Sequence, residues 1–154
     1  MLCHYHVCRQ NLGAKKYRRI RNGVRSGVYM ALITSIVISG VMVITGRNIL
    51  SLFVSGEAGQ VKQVLDIAYK YLFIMAIFLW VLYLLYVYRS AIQGLGNTLI
   101  PLASGVVEFC MRVGVALLLP KLIGEDGIFY AEISAWSGAA ILLIVSYVVI
   151  IRKI

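Results

Sequence analysis

The sequence predicts an all-α integral membrane protein with four antiparallel transmembrane helices, and three observations lead to that fold. Of its 154 residues, 61% are hydrophobic and 14% charged, with a mean hydropathy of +0.89. An ordinary soluble domain has about a quarter of its residues charged and about half apolar, and a soluble chain this short would leave more apolar surface in water than folding tolerates. Second, the apolar residues gather into four runs, each near the roughly 20 residues that cross a bilayer core as a helix. Third, no run shows the alternation of a strand or of a membrane barrel. The same composition excludes disorder. Three cysteines are too few, and odd in number, for a disulfide-stapled secreted domain.

Taken in order, residues 1–9 (MLCHYHVCR) form an atypical amino end, residues 10–25 a basic cytoplasmic loop, and residues 26–154 the transmembrane region. CHYHVC invites a zinc reading, but a structural site spreads its ligands over two short pairs and this cluster is single. The first span covers about 26–46. The second covers about 64–88, and its part from 71 to 88 holds no charged or strongly polar residue. The third, about 99–119, carries Glu108 and Arg112 inside it, and the fourth runs over about 128–151. Connections are short apart from the outer stretch SGEAGQ (55–60), so consecutive helices are antiparallel neighbours.

Lys and Arg set the direction. Ten of the fifteen fall on one side: seven from Arg9 to Arg25, then Arg89, Arg152 and Lys153. Arg47, Lys62, Lys70 and Lys121 fall on the other, and Arg112 lies within the membrane. The richer side is cytoplasmic, so both termini lie inside and the expected location is the inner (plasma) membrane. The net charge of +9 then describes topology and membrane lipid contact, with no nucleic acid as partner. No span has the form of a cleavable signal peptide.

The turn RSAIQGLGNTLIP joins the second and third spans. Gly94 and Gly96 permit a helix end with positive φ, Asn97 or Thr98 can cap the next helix, and Pro101 fits its first turn. GLG lacks the third glycine and the preceding strand of a nucleotide-binding fingerprint. Ser104, Glu108 and Arg112, spaced four apart, share one helical face, with Glu108 roughly 15 Å deep. A charge at that depth costs about 3 kcal/mol on insertion scales. The three residues are therefore either an internal ion pair that fixes packing or the lining of a transport pathway. Glu132, near the outer end of the fourth span, reads as a solvated interfacial carboxylate, and Ala131, Ala135 and Ala139 mark a small-residue face for close helix contact. Trp80 and Tyr83 are too central for an aromatic belt. They are core packing or a face for flat cationic substrates through cation–π contact. No nucleophile–base pair, metal-ligand spacing or phosphate loop appears, so neither an enzyme nor a bound cofactor is expected.

QNLGAKKYRRIRNGVRSG (10–27) resembles the cytoplasmic loop of multidrug and toxic compound extrusion (MATE) transporters. RSAIQGLGNTLIPLASGVVEFCMR (89–112) resembles a later turn and the helix after it, and AEISAW (131–136) is similar to the start of the family's last helix. The resemblance implies the last four helices of a twelve-helix, two-lobed antiporter, part of its second lobe, with the amino-terminal lobe missing. It implies export of organic cations in exchange for sodium ions or protons, and matches Glu108 and Arg112 to a Glu-x-x-x-Arg pattern. The acidic residue that some relatives carry in the tenth helix has no counterpart between residues 71 and 88. Codons exist for CHYHVCR that, read one base later, give AITTYVG, as a helix entering this loop would have. A frameshift near Arg9 and Gln10 is therefore expected, with an independent start as its rival. The alternatives to an antiporter are a related lipid-linked oligosaccharide flippase and a stand-alone membrane interaction module.

Overall fold

The structure is a computed structural model that describes residues 2–54, 58–124, 127 and 129–153. The described chain forms five helices: α1 (Leu2–Gly13), α2 (Tyr17–Phe53), α3 (Ala58–Gly94), α4 (Leu99–Ile123) and α5 (Phe129–Lys153). Each of α2 to α5 is long and apolar enough to cross a membrane. The protein is an all-α, multi-pass membrane protein.

Helix ends depart from the expected spans in a consistent way. With 37 residues each, α2 and α3 are about 55 Å long at 1.5 Å per residue, well beyond a bilayer core of about 30 Å. Hydropathy stops at the first charges, whereas Arg, Lys and Gln are good helix formers and carry the backbone onward. The expected basic loop over 10–25 is therefore mostly helix. It comprises the end of α1, the turn Ala14–Lys16 and the first nine residues of α2. Of the expected outer loop 55–60, residues 58–60 open α3 and 55–57 lie outside the described residues.

The amino end is helical too, apart from Met1, which lies outside the described residues. Cys8 is buried in the main core with Ile20, Val24 and Ile92, and Leu12 packs against that cluster. Burial pushes the Cys8 thiol above its ordinary range. The side chains of Cys3 and His4, the other half of the zinc reading, lie outside the described residues. In the turn after α1, Lys16 N–H donates to Asn11 C=O at 2.9 Å and Lys15 N–H to Leu12 C=O at 3.0 Å. This is a Schellman motif with a lysine at the left-handed position, φ 53°. The turn after α3 repeats it with Gly96 (φ 85°), where Asn97 N–H reaches Ile92 C=O and Gly96 N–H reaches Gln93 C=O. Asn97 Oδ1 then accepts from Ile100 N–H at 3.1 Å, capping α4.

In packing, α2 lies on α3, α4 on α5, and α3 on α5, with α1 against α2 and α3. The α2–α3 hairpin closes tightly at Gly46, where an added Cβ would stand 3.0 Å from a Leu72 methyl. On either side, Tyr69 donates to Val43 C=O at 2.9 Å and Ser39 to Ala76 C=O. The exposed Arg47–Asp66 pair adds a 2.7 Å contact of the kind worth little in water. Ala131, Ala135 and Ala139 are all buried, as a close-contact face requires. α4 shows Leu99, Leu102, Val106 and Phe109 on an exposed apolar face.

Two outcomes follow. Gly46→Val should lower stability in detergent by about 1–3 kcal/mol through overpacking, and Leu72→Ala should restore most of it by removing the methyls it meets. Lys15→Gly should stabilise the chain by up to about 1 kcal/mol by relieving the left-handed lysine. Thermal unfolding of the purified variants measures both.

Candidate functional site

α4 brings Ser104, Glu108 and Arg112 onto one face, as their spacing predicts, and that face meets charges from two other helices. Glu108 accepts from Arg112 one turn later at 3.2 Å, and from Arg89 on α3 at 3.1 Å. Arg89 also reaches the Ser104 hydroxyl at 3.2 Å, while Ser104, fully buried, donates back to Pro101 C=O at 2.7 Å. Arg112 turns its other contact to Glu132 on α5 at 2.9 Å. Four charges thus form a neutral chain, Arg89–Glu108–Arg112–Glu132, across three helices. From Ser104 to Arg112 it rises about 12 Å along α4.

Two members overturn their sequence readings. Arg89, assigned to a cytoplasmic connection, stands five residues before the end of α3 and sends its guanidinium to Glu108. A long side chain near a helix end can carry its charge several ångströms along the axis, which a residue count cannot register. Glu132, read as a solvated carboxylate, is bonded to Arg112. Its side chain is only 29% exposed. No signal along the chain marks this contact, because Arg112 already has Glu108 one turn away and only the fold shows that Arg89 shares that carboxylate.

The Nε atoms of Arg89 and Arg112 are buried without a hydrogen-bond partner among the described residues. Each guanidinium is thus held by its terminal nitrogen while its buried inner donor goes unmatched, a cost of about 1–3 kcal/mol apiece. Arg112 and Glu132 also line a cavity of about 390 Å³ with Tyr71, Phe129, Ala116 and Ala131. The Tyr71 and Phe129 rings stand 5.3 Å apart at its wall. A carboxylate beside two rings is the donor set for an organic cation.

The other aromatic candidates are separate from this cavity. Trp80 is 44% exposed on the outside of α3, and Tyr83 is half-buried against the core. Among the described residues no group of three or more His, Cys, Asp or Glu is arranged to hold a metal ion.

A family model, MatE, matches residues 3–118, well over half of the chain. The match takes in residues 3–9 of α1, ahead of the stretch from Gln10 that carries the resemblance, and runs to within a few residues of the end of α4. No curated protein and no solved structure matches the chain.

The neutral chain predicts strong coupling between its members. Glu108→Gln should cost about 1–3 kcal/mol of stability, less than the 3–5 kcal/mol for breaking a fully buried pair because these side chains keep partial exposure. With Arg89→Gln as the second substitution, the double-mutant cycle should return an interaction of at least about 0.5 kcal/mol. Additive losses would mean that the two side chains do not act together.

Proposed function

The chain belongs to the MatE family of membrane transporters, and from that premise we propose that it supplies the last four helices of the second lobe of a cation-coupled antiporter. Its substrates are organic cations, exported in exchange for sodium ions or protons, and its partner is the amino-terminal lobe. The protein sits in the inner (plasma) membrane with both termini cytoplasmic, the side that the Lys and Arg count favours. The observation that carries this reading is the family match along α1 to α4. The cavity at Tyr71, Phe129 and Glu132 supports it, because rings and a carboxylate in a partly desolvated cleft suit a flat cation. Trp80 and Tyr83 remain a second candidate contact, with Trp80 reached from the outside of α3 and Tyr83 turned to the core. The flippase alternative needs a basic central cavity for a pyrophosphate, whereas Arg89 and Arg112, the cations that reach toward mid-membrane, are both paired with carboxylates.

In mechanism, transport by a two-lobed carrier is rocking of rigid units about a central site. The Arg89–Glu108–Arg112–Glu132 chain holds α3, α4 and α5 as one such unit. Glu108, with both oxygens occupied by guanidinium groups, is a positioning residue for the lobe. Glu132, at the cavity wall, is the residue placed to meet substrate charge. Substrate entering beside Tyr71 and Phe129 competes with Arg112 for the Glu132 carboxylate, which links occupancy of the cavity to the tie between α4 and α5.

Two substitutions in the complete transporter, reconstituted in vesicles and assayed with ethidium, separate these roles. Glu108→Gln should slow export roughly tenfold, equivalent to about 1.4 kcal/mol of lost positioning, with the pH and sodium dependence of the rate unchanged. Disappearance of that dependence would instead make Glu108 the coupling charge. Glu132→Gln should raise KM for ethidium well beyond any change in KM for an uncharged analogue, while both substrates share a lower rate from the lost tie to Arg112. An unaltered KM would remove the cavity from the pathway.

A further inference from the structure

A second cavity, of about 540 Å³, opens at the end of the bundle where α2 begins and α3 and α5 finish. The transport reading does not use it. Arg18, Arg21, Asn22 and Arg25 line it from one face of α2, Tyr88 from α3 and Tyr147 from α5, and among the described residues no acidic one takes part. The described carboxylates Asp66, Glu108 and Glu132 are engaged with Arg47, Arg89 and Arg112 elsewhere. The first turn of α2 has neither an acidic residue nor a side-chain cap. Arg18 therefore adds to the positive end of the helix dipole, and Arg21 and Arg25 extend the same charge along the next turns, an arrangement that costs stability unless an anion offsets it.

An independent observation marks the inner wall. Tyr147 is 8% exposed, its ring meets Tyr88 edge-on at 5.3 Å, and its buried hydroxyl has no hydrogen-bond partner among the described residues. A buried phenol without a partner is costly and calls for a ligand. The remaining lining is Val24, buried, Val28, half-buried, and Tyr29, whose hydroxyl accepts from Arg25, where α2 passes from its basic stretch into its apolar one. The pocket is thus cationic at one end and apolar at the other.

We propose that this pocket binds the phosphate group of an anionic amphiphile. Arg18, Arg21 and Arg25 neutralise the phosphate, the Tyr147 hydroxyl donates to one of its oxygens, and Val24 and Val28 lie against the adjoining carbons. Basic pockets between transmembrane helices take lipid phosphates in this way. The shared chemistry is a phosphate anion, whose source is a membrane lipid or a soluble phosphate.

Native mass spectrometry of the purified full chain, stripped of lipid and titrated with phosphatidylglycerol, phosphatidylcholine or inorganic phosphate, tests the site. Phosphatidylglycerol should bind about tenfold more tightly than phosphatidylcholine, and Arg21→Gln with Arg25→Gln should remove about that factor. Lys16→Gln with Arg19→Gln, the same charge change outside the pocket, should cost less than about twofold. Tyr147→Phe, which keeps the ring and its packing, should weaken binding about fivefold through the lost hydrogen bond. Inorganic phosphate binding with the same sensitivity to these variants would support the site and identify a soluble ligand. Equal losses from both cationic pairs, or no effect of Tyr147→Phe, would reduce the interaction to diffuse attraction and overturn the proposal.

Discussion

Everything on the α4 side of this bundle depends on cancelling charge inside a bilayer. Glu108 cannot stay ionised at that depth alone, and Arg89 and Arg112 cannot either. Joined with Glu132 they sum to zero, and the only way to join them is to bring α3, α4 and α5 to fixed positions. α4 has little direct packing against α3, so the Arg89 contacts to Ser104 and Glu108 tie together two helices that otherwise meet through α5 and the short turn between them. Removing one member leaves an odd charge in a low-dielectric setting, which is more costly than never having had the pair.

The other half of the bundle is held by a different interaction. Lipid tails are as apolar as leucine, so helices in a membrane gain from contact only where they fit closely. Gly46 against Leu72 supplies such a fit in the α2–α3 hairpin, and Ala131, Ala135 and Ala139 supply it along α5. The interhelical hydrogen bonds of Tyr69 and Ser39 end on backbone carbonyls and add direction to that contact. Steric fit thus orders α2 on α3 and helps seat α4 on α5, while charge ties α4 to α3.

Much of this was legible in the sequence because the bilayer imposes long-range rules on short-range patterns. Span number, the turn at Gly96 and Asn97, the alanine face and the common face of Ser104, Glu108 and Arg112 all follow from spacing along one helix. What failed was contact between helices. Arg89 looked like a topology signal because its position, five residues from the end of α3, says nothing about the direction of a long side chain. Glu132 looked solvated because its partner lies on another helix. The basic stretch looked like loop because hydropathy reports where lipid ends, and helices do not end there.

The positive-inside count treats Arg18, Arg21, Arg25 and Arg89 as equivalent, and the fold separates them. Arg89 has two oxygen partners on α4, and its charge is spent within the protein. Among the described residues Arg25 bonds the neutral Tyr29 phenol, at 3.3 Å, with its guanidinium 5.7 Å from that ring, and so keeps its full charge for an outside anion. A statistical bias that orients the chain has therefore been divided by packing into two kinds of cation. One kind is neutralised in place and holds helices together. The other is gathered on a single face of α2, beside a buried phenol, where the field of each guanidinium adds to the next. Topology requires only that these arginines stay on one side of the membrane. It does not require the spacing of three and four residues that aligns them over one cavity.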